Sequence, residues 1–77
     1  MKIVYRKLGK EKAWGQAHND DMIIELDPRL KGKHHLTVLI HEILHLQNPS
    51  WSETEVINKS RQMANQLWKE NYRRIDK

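Results

Sequence analysis

Apolar positions follow two different rhythms along this chain. Before residue 27 they come in short runs broken by polar and turn-forming residues: Ile3-Val4-Tyr5, Trp14 to His18, and Met22 to Leu26. Runs of this length bounded by Gly, Asn and Asp predict strands, here at about 2–8, 14–18 and 22–26. Asn19-Asp20-Asp21 has turn chemistry and predicts a hairpin joining the last two. Asp27-Pro28-Arg29-Leu30 then turns the chain away, because Pro28 disfavours helix at the residue before it. From there the rhythm becomes helical. Leu36, Val38, Leu39, Ile40, Ile43, Leu44 and Leu46 predict a buried helix at about 33–47, stopped by Asn48-Pro49. Ser52-Glu53-Thr54-Glu55 has the S-x-x-E form of a capping box. It opens a second helix at about 52–72 whose apolar stripe is Val56, Ile57, Met63, Ala64, Leu67 and Trp68. The expected fold is α+β: a small antiparallel three-stranded sheet followed by two antiparallel helices, one domain over residues 1–77.

Composition narrows the function classes. Seventy-seven residues leave no room for a second core, and at this size a metal tying two helices together would add stability. With no cysteine, disulfides and thiolate metal sites are excluded. No apolar run approaches the roughly 20 residues needed to span a bilayer. Met1 to Gly15 is charged and carries no signal-peptide pattern, so the expected compartment is the cytoplasm. The formal charge of +4 comes from basic ends: Lys2, Arg6, Lys7, Lys10 and Lys12, then Lys69, Arg73, Arg74 and Lys77. These are scattered along the sequence without interleaved aromatics, so nucleic acid is not the expected partner.

The chemistry lies in His41-Glu42-Ile43-Leu44-His45, an H-E-x-x-H pattern inside the first helix. Residues four apart share a helical face with Cβ atoms roughly 5–6 Å apart. Two imidazoles so placed can reach one Zn²⁺ at about 2.0–2.1 Å. Glu42 sits about 100° further round the helix, which suits a base acting on a metal-activated water. Hydrolytic zinc usually takes three protein ligands and an open position. The short connection Leu46 to Trp51 brings the start of the second helix close, and two carboxylates sit there, Glu53 and Glu55. At 100° per residue the apolar stripe centres near Ser60; Glu53 falls within about 20° of it and Glu55 about 140° away. Glu53 is therefore the expected third ligand and Glu55 the cap, with Glu55 as the alternative ligand and an exposed first-turn acid as the plain reading of Glu53.

The other histidines read as bystanders: His34 at the surface or a cleft rim, too far along the helix to share the metal, His35 solvated, and His18 in a structural or surface role. Trp14, Trp51 and Trp68 read as core anchors. Tyr5 could in principle supply an oxyanion donor.

With H-E-x-x-H followed by a helix carrying Glu53, the sequence resembles a zincin metallopeptidase, specifically a very small gluzincin-like one. It also resembles short phage and bacterial zincin-like proteins in the strand–turn segment Ile23 to Leu30 ahead of the motif helix. No glycine-plus-histidine extension follows His45, which separates it from metzincins. The resemblance implies one zinc ion held by His41, His45 and Glu53, with Glu42 as general base and acid. The expected function is zinc-dependent peptide or amide hydrolysis, with an extended peptide or protein substrate pairing along the Met22 to Leu26 strand as an edge. The alternatives are a zinc-stabilised, non-catalytic binding or regulatory module that contacts a protein partner, and a metal-free domain that merely tolerates two histidines beside its core.

Overall fold

The computed structural model describes residues 1–9 and 13–75; Lys10, Lys12 and Lys77 of the basic ends lie outside the described residues. Three strands, β1 (Lys2–Tyr5), β2 (Gly15–His18) and β3 (Ile23–Leu26), precede two helices, α1 (Gly32–Gln47) and α2 (Glu53–Lys69). The hairpin forms as expected, β2 pairing antiparallel with β3 through Gly15↔Leu26 to His18↔Ile23. β1 pairs parallel with the other side of β3, Lys2↔Ile23 to Tyr5↔Leu26. The sheet is therefore mixed, in the order β1-β3-β2, and not wholly antiparallel. The reason is burial: Ile24 and Leu26 on β3 have no solvent exposure. The strand with that much apolar surface takes the centre, and β1 must use the side the hairpin leaves open. β3 is consequently not an edge, which corrects the expectation that Met22 to Leu26 could receive an extended substrate. The edges are β1 and β2.

The segment after β1 is anchored by Asp27, whose carboxylate is fully covered. Its Oδ2 accepts from the Leu8 N–H at 3.1 Å, and both oxygens accept from Arg29, whose backbone N–H, Nε and Nη2 donate at 2.8–2.9 Å. The Arg29 guanidinium and these backbone donors hold the Asp27 carboxyl well below the usual carboxylate range. One side chain thus pins the β1 exit, with Leu8 buried, to the turn that leads into α1.

α1 is apolar on two faces. Toward the sheet, Val38, Leu39, Ile43 and Leu46 meet Ala17, Ile24, Leu26 and Leu30. Toward α2, Leu36, Ile40 and Leu44 meet Trp51, Val56, Ala64 and Leu67. Ser60 is buried in that seam, its hydroxyl donating to the Ile57 carbonyl at 3.0 Å. Ser60 and Ala64, both small and buried, lie in this contact stripe. Met63, expected in it, lies on the rim at 45% exposure. No helix among the described residues is long and apolar enough to cross a membrane.

Candidate metal centre

Local signals bring the ends of the two helices together. At the end of α1 the Asn48 N–H donates to the Leu44 carbonyl at 2.9 Å, and Pro49 follows. The Trp51 N–H then donates to the Asn48 carbonyl at 2.9 Å, closing a tight turn. Ser52 caps α2 by accepting from the Glu55 N–H at 3.1 Å. The first residue of α2, Glu53, therefore faces the last turns of α1.

There the sequence-predicted residues meet. His41 Nε2 and His45 Nε2 are 3.1 Å apart, their rings inclined at 69°. Glu53 Oε1 lies 2.9 Å from His41 Nε2, and Glu53 Oε2 lies 3.0 Å from His45 Nε2. Two ligand atoms at about 2.0–2.1 Å from a tetrahedral ion stand roughly 3.3 Å apart. The observed triangle is only slightly tighter, so the residues fit a small divalent cation with nitrogen and oxygen ligands. Lone-pair-bearing atoms converging from three side chains have few protons to share among them, and a cation resolves that conflict. His41, Glu42 and His45 also present donor atoms within 4.8 Å of one another. The carboxylate that touches both imidazoles, however, is that of Glu53. Glu42 stands beside the triangle, on the neighbouring row of the helix.

Glu53 arrives by reach and not by burial. Its side chain is 62% exposed, so it does not continue a buried stripe; its direction from the helix was foreseeable and its environment was not. Glu55 is exposed and stays at the cap. Burial pulls the His41 pKa down, with the Glu53 charge opposing and the His45 charge assisting. That favours the neutral imidazole, the form that binds metals.

Glu42 is the most enclosed acid of the group, 8% exposed. Burial raises its pKa to about 6, with the His45 charge lowering it and the Glu53 charge raising it. The start of β2 lies directly over it. A Cβ added to Gly15 would come 3.1 Å from Glu42 Cγ and Oε2 and 2.9 Å from Val38 Cγ1. Only glycine permits this approach, and the sequence reading passed over it; an isolated glycine in a strand pattern was the available signal. A hollow of about 190 Å³ opens beside Glu42, lined by Trp14, Gly15, Thr37, Val38 and His41.

The remaining candidates separate clearly. His34 is exposed, its ring edge-on to Trp14 at 5.2 Å. Trp14 itself is 44% exposed, with the Arg29 guanidinium 5.2 Å from its ring. It is a wall of the hollow and not a core anchor, whereas Trp51 and Trp68 are half-buried. His18 is exposed and meets Glu25 at 2.6 Å. His35 overturns the solvated reading: it is 6% exposed, and its Nε2 is 2.8 Å from the Tyr5 hydroxyl. The Tyr5 side chain reaches from β1 to the start of α1, so Tyr5 is engaged there, away from the histidine–glutamate triangle. Comparison with family models, with curated proteins and with solved structures finds no match.

Proposed function

We propose that this chain is a zinc-dependent hydrolase of peptide or amide bonds, with His41, His45 and Glu53 holding the ion and Glu42 as general base and acid. The observation that carries the reading is the Glu53 carboxylate facing both imidazoles at 2.9 and 3.0 Å, with the buried Glu42 beside them. Bound there, zinc would act as a Lewis acid and make a water acidic near neutral pH. The chain's own residues supply the rest. Glu42, whose pKa is raised to about 6 by burial, takes a proton at its carboxylate and returns it to the departing nitrogen. Gly15 keeps the β2 backbone close over Glu42 and limits water around it. β2 is the edge strand beside α1, so an extended peptide adds to the sheet there through main-chain hydrogen bonds. One of its side chains enters the hollow between Trp14 and Val38. Three ligands favour this reading over a purely structural ion, since structural zinc usually takes four protein ligands.

The test is digestion of a broad peptide library by zinc-loaded protein, with Glu42→Gln as control. The expected result is cleavage by wild type and a loss of about 10²- to 10⁴-fold in the variant, with zinc stoichiometry unchanged in both. Absence of cleavage by either protein, with one zinc bound tightly, would move the reading to a zinc-stabilised binding module.

A further inference from the structure

An arginine is presented just beyond the Gly15 end of the β2 edge. The residue before Gly15 is Trp14, whose carbonyl accepts from the Asp27 N–H at 2.9 Å. That bond ties the strand end to the turn that carries Arg29. A hollow of about 330 Å³ opens there, and its walls include Gly9, Ala13, Trp14 and Arg29. Trp14 also lines the hollow beside Glu42. The indole is thus a wall common to both, with the Arg29 guanidinium 5.2 Å from its ring centre.

Three observations give Arg29 a chemistry. First, it is fixed from behind. Its Nε donates to Asp27 Oδ1 at 2.9 Å and its Nη2 to Asp27 Oδ2 at 2.8 Å, and Asp27 is fully buried. This side-on pair sets the plane of the guanidinium. Second, the end-on fork is left over. A guanidinium carries five N–H donors; Asp27 takes one on Nε and one on Nη2. The remaining Nη2–H and an Nη1–H run parallel, the geometry that receives a carboxylate bidentately. Third, that fork is open. The Arg29 side chain is 57% exposed although its partner carboxylate has no exposure. With one edge against a buried group, the exposure lies on the stem and the opposite edge. An anchor alone needs only the edge that meets Asp27.

Position says what brings the carboxylate. Glu42, the hollow beside it, Trp14 and Arg29 all lie toward the Gly15 end of β2. A strand advances about 3.3 Å per residue, so the 5.2 Å from guanidinium to indole centre corresponds to one or two residues of extended peptide.

We propose that Arg29 is a specificity residue that binds a carboxylate of the peptide substrate, one or two positions from the residue whose side chain enters the hollow between Trp14 and Val38. The inference rests on the peptide-hydrolase reading of the neighbouring site. An Asp or Glu side chain and a free C-terminus offer the same two oxygens. Because Asp27 balances the Arg29 charge, the contact works through directed hydrogen bonds at short range.

The experiment is fluorescence anisotropy with labelled peptides and zinc-loaded, full-length Glu42→Gln protein, which leaves the peptides intact. Each peptide carries one leucine in an alanine background, with Glu or Gln one or two positions to either side, as the C-terminal amide. A further arm replaces Glu by a free C-terminal acid and so tells the two carboxylate sources apart. The carboxylate peptides should bind about tenfold or more tighter than their Gln or amide counterparts, and on one side of the leucine only. Arg29→Lys keeps a charge to face Asp27 but has no fork. Its preference should fall toward one while its affinity for the Gln peptides holds, a split that a purely structural role would not give. The peptide comparison on the Glu42→Gln protein decides by itself if Arg29→Lys melts early. Equal binding of carboxylate and neutral peptides, no binding of any of them, or an unchanged preference in folded Arg29→Lys would each overturn the proposal. Library cleavage by wild type without a carboxylate preference overturns this inference alone. A carboxylate preference without cleavage overturns the hydrolase reading and leaves the Arg29 site standing.

Discussion

The two ends of α2 use charge in opposite ways. At its start, Ser52 and Glu55 close the helix and Glu53 carries its carboxylate across to His41 and His45. At its end, Lys69, Arg73 and Arg74 gather beside Trp68 and Tyr5. The first cluster is compact, and its acid lies where the helix dipole favours one. The second is an open groove where cations cover aromatic faces. In the last turn of the helix Lys69 lies where the dipole favours a cation, with Glu70 beside it at the cap. The lesson lies in how each was assembled. The acidic end comes from residues a few positions apart, and the basic end joins the first strand to the last residues of the chain.

That contrast can be broken most severely at Glu53. Glu53→Ala should weaken zinc binding by more than the 10- to 100-fold typical of outer-shell partners, while Glu55→Ala should leave it unchanged; calorimetric zinc titration separates them. The reverse pattern would exchange their roles.

Acid stability tests the Asp27 anchor between the β1 exit and the turn into α1. Asp27 is held below its ordinary carboxylate range by Arg29, so its contribution is complete above the unfolded value of about 3.9 and is lost as pH falls through the folded value. Wild type should therefore lose stability progressively below about pH 4. Asp27→Asn should be less stable at neutral pH and show a flatter loss on acidification, as read by thermal melts at a series of pH values.

A smaller effect is expected at Gly15. Gly15→Ala puts a methyl 2.9 Å from Val38 Cγ1 and 3.1 Å from the Glu42 carboxylate. Overpacking of this kind costs about 1–3 kcal/mol, measured by denaturant unfolding. On the proposed function, zinc affinity should hold while cleavage falls, because the methyl meets Glu42 and not His41, His45 or Glu53.

Much of the histidine–glutamate cluster was legible because its signals are local. The i, i+4 histidines, the Asn48-Pro49 stop and the Ser52 cap all act within a few residues, and helical periodicity then aims Glu53. The hairpin was legible for the same reason. The parallel seat of β1 was not, since it depends on which edge of β3 is left once the hairpin has formed. His35 looked solvated because it points away from the face that carries His41 and His45, although Val38 and Leu39 lie three and four positions on; its partner Tyr5 is thirty positions away. Trp14 looked like core because of its type, yet it meets α1 at His34 and stays 44% exposed.

By itself, then, the sequence determined the α+β order, both helices, the H-E-x-x-H face and the carboxylate most able to reach it. Short-range hydrogen bonding and periodicity suffice for those. Only the tertiary structure decided the mixed sheet, the passage of Gly15 over Glu42 and the joining of Tyr5 with Trp68, Arg73 and Arg74. Those depend on which apolar surfaces are buried first and which edges remain, and that competition is settled only when the whole chain packs.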